Sequence, residues 1–135
     1  MNHTGFTGSR EGMTQLQSDE VQRLIQLLDG KFHHGDCVGA DFQAHRFAEL
    51  NDKLEIVIHP PVKTSLRAYC KNGVVLPPKE YLKRNKDIVD ACGWLIAAPK
   101  DRVQKGGTWW TINYARMTGT KVVVVYPDGT REFDG

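Results

Sequence analysis

The sequence has 135 residues, the size of one domain, and its 40% hydrophobic content can bury a sizeable apolar core without disulfides or a structural metal. Charged residues make up 25% of it and the formal net charge is only +2, so long-range electrostatics single out neither a nucleic-acid nor a membrane surface. Cys37, Cys70 and Cys92 are odd in number and far apart, which predicts reduced thiols and no metal site. No basic segment leads into an apolar one at the N-terminus, and no window approaches the roughly 18 apolar residues of a membrane span. The expectation is a soluble, cytoplasmic, single domain over residues 1–135, without a membrane partner.

Five apolar runs, at residues 3–7, 31–34, 54–59, 94–98 and 121–126, alternate with segments of helical period. This order predicts an α/β, Rossmann-like fold: a mainly parallel five-stranded sheet with helices on both faces. Val122 to Val125 form a continuous β-branched run, the pattern of a parallel strand covered on both sides. A first helix is predicted over 18–28, capped by Ser18, with Val21, Leu24, Ile25 and Leu28 on one face and Gly30 as its stop. A second is predicted over 38–50. A third starts near Pro78 and turns Tyr81, Leu82, Ile88 and Val89 toward the core. The fourth runs over 107–117, with Gly119 beyond it, and residues 127–130 read as a turn into a short terminal strand. Residues 60–77 form a long connection rich in Pro, Lys, Arg and Tyr. In it or just after it, Arg67, Tyr69, Lys71 and Lys79 either close over a ligand or form a solvated face.

Three polar glycine loops follow the predicted strands: Gly8-Ser9-Arg10, the stretch from Gly35 to Asp41, and Lys105-Gly106-Gly107-Thr108. A parallel sheet places all three on one rim, where helix N-termini present unpaired N–H groups and a positive dipole end to an anion. Individually the loops read equally well as turns and caps; together they point to a phosphate-binding rim. Trp109 is either a stacking platform for a base or core, and His34 either a phosphate ligand or a donor to backbone.

The strings Gly5-Phe6-Thr7-Gly8-Ser9-Arg10, His34-Gly35-Asp36-Cys37-Val38-Gly39-Ala40-Asp41, Arg84-Asn85, Ala97-Ala98-Pro99 and Gly106-Gly107-Thr108-Trp109 resemble the SLOG superfamily over nearly the whole chain. That superfamily includes DprA, the Lonely Guy phosphoribohydrolases and small YpsA-like proteins of bacteria and phages, and the likeness is closest to the last. The resemblance implies a Rossmann-like rim that binds a nucleotide-derived small molecule, a nucleoside phosphate or an ADP-ribose-like signal, as a sensor or sequestering protein. It places Gly8, Ser9, Arg10, His34, Gly35, Asp36, Asp41, Arg84, Asn85, Pro99, Gly106, Gly107, Thr108 and Trp109 at the ligand. It implies a homodimer or higher homo-oligomer and no cofactor. The alternative it carries is hydrolysis of the base–ribose bond of nucleoside monophosphates. Arg84 matches the catalytic arginine, but the glutamate position falls on Asn113, leaving Asp36 or Asp41 to supply a carboxylate for an oxocarbenium-like transition state. Single-stranded DNA binding, by analogy with DprA, is the weakest alternative, because no basic stripe with interleaved aromatics is present, and nucleic acid is not the expected partner.

Overall fold

The computed structural model describes residues 2–134. Strands β1 (His3–Gly8), β2 (Gly30–His34), β3 (Leu54–Ile58), β4 (Val74–Val75), β5 (Trp94–Ala98), β6 (Lys121–Val125) and β7 (Arg131–Asp134) alternate with helices α1 (Gln15–Gln26), α2 (Ala40–Glu49), α3 (Tyr81–Asp90) and α4 (Gly106–Thr118). The strands form one sheet in the order β4-β3-β2-β1-β5-β6-β7. All neighbours pair in parallel except β7, which returns antiparallel on β6. The sheet therefore has seven strands and not the expected five. The added ones are edge strands without a buried run: β4 is two residues inside the long connection, and β7, the mostly charged Arg-Glu-Phe-Asp, is the short terminal strand expected after the turn at 127–130.

Successive residues of a strand point to opposite faces, and the core divides accordingly. Phe6, Phe32, Ile58, Ile96, Ala98, Val123 and Val125 pack under α1 and α2 with Val21, Ile25 and Ala44. Leu95, Ala97, Val122 and Val124 pack under α3 and α4 with Val89, Ile112 and Ala115. The four-valine run of β6 thus serves two cores, which is why it shows no alternation. Gln17 is buried in α1 and donates to the carbonyls of Pro99 and Val125, both at 2.8 Å, tying the ends of β5 and β6 together.

The helix starts differ from expectation in ways that matter for the rim. Thr14, not Ser18, caps α1, in a capping box with Gln17. Helix α2 begins at Ala40, because Gly39 before it sits at φ 88°, outside helical geometry, and the Val38 N–H donates to the Leu66 carbonyl at 2.9 Å. Helix α3 begins at Tyr81, and Tyr81 and Leu82 are about half exposed instead of facing the core. Arg84 and Asn85 are buried in their place, beside Ile88 and Val89.

Candidate functional site

The strand order reverses at β1, from which the chain winds outward through β2 and β3 on one side and β5 and β6 on the other. Loops after β1 and β5 diverge at such a point and leave a crevice at the carboxyl ends of the strands. Here that crevice is a cavity of about 680 Å³, within the range of small-molecule sites. Gly8, Ser9 and Arg10 line it from β1, Pro99 and Lys100 from β5, and Lys105 to Trp109 from the start of α4. The opposite wall is Pro61 to Lys63, Ser65 and Leu66 of the long connection, with Glu80 and Tyr81.

One end of this cavity is built for an anion. The first turn of α4 carries no acidic residue, and no side chain caps it. Its leading N–H groups and the positive end of its dipole are therefore uncompensated. Gly107 sits where a Cβ would meet the Tyr81 hydroxyl, so glycine lets the Tyr81 ring lie against the start of α4. The charged ends of Arg10, Lys63 and Lys105 have neither hydrogen bond nor ion pair among the described residues, and Lys100 approaches Glu11 at 3.9 Å. Trp109 contributes to the lining but is chiefly core: it is 3% exposed, its indole donates to the Asp101 carbonyl at 3.1 Å, and its ring lies against Tyr126. Ser9 is held as firmly, its N–H on Ala98, its carbonyl on Ala40 and its hydroxyl accepting from Glu11.

Below the floor lies a second, polar layer containing Gly35, Asp41, Arg84 and Asn85. The Arg84 guanidinium donates to Asn85 Oδ1 at 2.8 Å, to the Gly35 carbonyl, and to the His59 carbonyl at 3.1 Å. A Cβ on residue 35 would lie 2.7 Å from Arg84 Nη1, which is why the turn after β2 needs glycine. Asp41 accepts from the Cys37 N–H at 3.2 Å and from the Gly35 backbone; burial pushes its carboxyl up to about 6 against the opposing pull of Arg84. These side chains surround a recess of about 20 Å³ that shares Gly8, Cys37 and Tyr81 with the main cavity. Burial, followed by the Asp41 charge, raises the Cys37 thiol above its ordinary value.

Asp36 and His34, expected at the ligand, line neither space. Asp36 is fully buried at φ 58°. Its carboxylate binds Arg67 Nε at 2.8 Å and the Cys70 N–H at 2.9 Å, and its carbonyl accepts from Ala68 at 2.7 Å. It anchors the long connection, whose ends are clamped by hydrogen bonds from Val62 to Lys79 and from Lys79 to Pro60. Arg67 and Tyr69 stack on each other and Lys79 pairs with Asp87, so none of these lines the cavity. Lys63 and Ser65 do so instead, because the anchored loop turns its first half inward. Asn113 is exposed on α4 and lines neither space.

His34 points the other way, under α2. Its Nδ1 accepts from the Asp36 N–H at 3.0 Å, so its proton sits on Nε2 and is donated to His45 Nδ1 at 2.9 Å. His34, His45 and Cys70 bring ligand-type atoms within 4.8 Å of one another. The proton order just described leaves neither imidazole a free lone pair toward them. His45 Nε2 then carries a proton with no hydrogen-bond partner, 3.7 Å from Glu49. The cluster is a hydrogen-bond chain, which residues so far apart in sequence did not announce. A second histidine row, His3–His33–His59, crosses three strands on the opposite face with N···N distances of 2.9 and 2.8 Å.

Fold and rim together define a doubly wound α/β domain with a cavity at its topological switch point. No family model matches the sequence, and no curated protein matches it. Among solved structures the chain is similar to the molybdenum cofactor binding protein from the phototrophic bacterium Rippkaea orientalis. The two are 18% identical with a TM-score of 0.73, over 93% of this chain and 76% of that one. At that identity the likeness is one of fold. No helix among the described residues is long and apolar enough to cross a membrane.

Proposed function

We propose that the cavity binds a phosphorylated, nucleotide-derived small molecule, with its phosphate on the N-terminus of α4 and its ring system against the wall formed by Pro61, Val62, Leu66 and Tyr81. The observation that carries this reading is the coincidence at one end of the cavity of an uncapped helix N-terminus with three unpartnered cations, Arg10, Lys63 and Lys105. Backbone N–H groups and a helix dipole suffice to hold a phosphate. The resemblance of the glycine loops to the SLOG superfamily supports the nucleotide part. The solved structure with the same fold is a molybdenum cofactor binding protein, which supports a second reading in which a phosphate-bearing cofactor with a pterin ring takes the place of the nucleotide. Both readings use the same anion site and differ in the ring.

Calorimetric titration of nucleoside monophosphates, ADP-ribose, a phosphorylated pterin and inorganic phosphate tests the proposal. Micromolar or tighter binding of a phosphorylated heterocycle, with loss of affinity in the unphosphorylated compound, is the expected result. A ligand at about 100 times its dissociation constant adds roughly 2.7 kcal/mol to stability, a readily measured thermal shift. Equal affinity with and without the phosphate would remove the reading.

A further inference from the structure

The recess beneath the floor is bordered by charges that do not meet. Asp41 is 6% exposed and Arg84 is 3% exposed, both line the same void, and among the described residues no ion pair joins them. Asp41 offers only acceptors, two of them served by backbone N–H groups at its edge. Arg84 offers only donors: Nε and Nη1 are committed to oxygen, whereas Nη2 has the Cys37 sulfur at 3.7 Å as its one partner. The void of about 20 Å³ exceeds the roughly 10–15 Å³ that one water needs, and its walls supply polar partners.

The group that fits must donate to a carboxylate and accept from a guanidinium. A water or a hydroxyl does both; an ammonium only donates, and an ether or carbonyl only accepts. We infer that the recess is a hydroxyl subsite, filled by a water in the free protein and by a hydroxyl of the bound ligand reaching down between Gly8, Cys37 and Tyr81. The ligand half of this inference rests on the nucleotide reading above and extends it to a sugar hydroxyl as the feature that is selected.

The test compares adenosine monophosphate with its 2′-deoxy and 3′-deoxy analogues by calorimetry, in the wild type and in Asp41→Asn, beside a high-resolution crystal structure of the free protein. Loss of one hydroxyl is expected to weaken binding about 10- to 100-fold, the penalty for leaving buried polar groups unpaired. In Asp41→Asn the amide must keep its oxygen on the backbone N–H groups and turns a donor into the recess, so that ratio should fall toward one. Equal wild-type affinity for all three sugars, or a free protein with no ordered water between Asp41 and Arg84, overturns the inference. Should none of the three nucleotides bind, the nucleotide reading fails by itself. The water then decides for the recess: present, it supports the subsite; absent, it removes it.

Discussion

The rim of the cavity and the layer under its floor are built from the same glycine-loop segments, yet they spend their polar groups in opposite ways. Under the floor, Nε and Nη1 of Arg84 are taken up by three oxygen acceptors from three segments, only Nη2 is left facing the Cys37 sulfur, and Gly35 admits the guanidinium. At the rim, Arg10, Lys63 and Lys105 are exposed and unpaired, and the α4 N-terminus is uncapped. A satisfied buried charge holds a fold together, whereas an unsatisfied one at a concave surface is available to a ligand. Among the residues that the resemblance places at the ligand, the difference separates those that chiefly tie the fold together from those whose charge is wholly available.

The largest expected effect lies under the floor. Arg84→Gln strands the buried Gly35 and His59 carbonyls, which at about 1–3 kcal/mol each should cost roughly 2–6 kcal/mol in urea unfolding. A loss below roughly 1 kcal/mol would mean that Arg84 is not the tie described here.

Acid should act on the same interior through the histidine row. Burial, with His59, His3 and Lys31, lowers His33 to about 4; burial, with Arg84 and Lys79 and against the pull of Asp87, lowers His59 to about 4. Burial lowers His34 further. Between about 4 and the ordinary 6.5 the unfolded chain takes up protons that the fold refuses. Stability is therefore complete above the upper value and falls as pH drops toward the lower one. Asp41, raised to about 6, acts in the opposite sense over part of this window, facing Arg84, Cys37 and Asp36, but it is one group against three. Urea midpoints should decline from neutral pH to pH near 4.5, and a flat or rising profile would contradict the account.

Much of this layout was legible in the sequence because parallel topology forces every strand-to-helix loop onto one rim. Gly8 to Arg10, Pro99 and Gly106 to Thr108 accordingly line the cavity. What the sequence hid is side-chain direction. His34 ends β2 pointing under α2, and the positive φ of Asp36 aims its carboxylate at Arg67. No periodicity marks a single left-handed residue. Arg84, which the resemblance places at the ligand as a catalytic arginine, reveals only in the fold the three acceptors that converge on it. Lys63 and Ser65 were missed because the inward turn of their loop depends on Asp36, far away in sequence.

Rim substitutions should reverse the pattern. Arg10→Ala and Lys63→Ala are expected to leave stability within about 0.5 kcal/mol while each weakens phosphate-ligand binding roughly 3- to 10-fold, more at low than at high salt. Affinity equal to the wild type at low salt in both variants would show that the cations do not face the ligand. The smallest effect belongs to Asn113→Glu. A carboxylate on that exposed face does not reach the cavity, so release of free base from nucleoside monophosphates should match the wild type. A gain in turnover would mean that α4 presents another face to the ligand.

Thr108→Glu separates the two regions in one protein. Residue 108 is the third of α4 and lines the cavity. A carboxylate there suits the helix dipole, adding about 0.3–1 kcal/mol, while repelling a phosphate. Thermal unfolding and calorimetry on this variant, with the tightest phosphorylated ligand of the wild type, should show a midpoint unchanged or raised and affinity reduced at least tenfold. Full retention of binding at an unchanged midpoint would show that the start of α4 does not hold the anion.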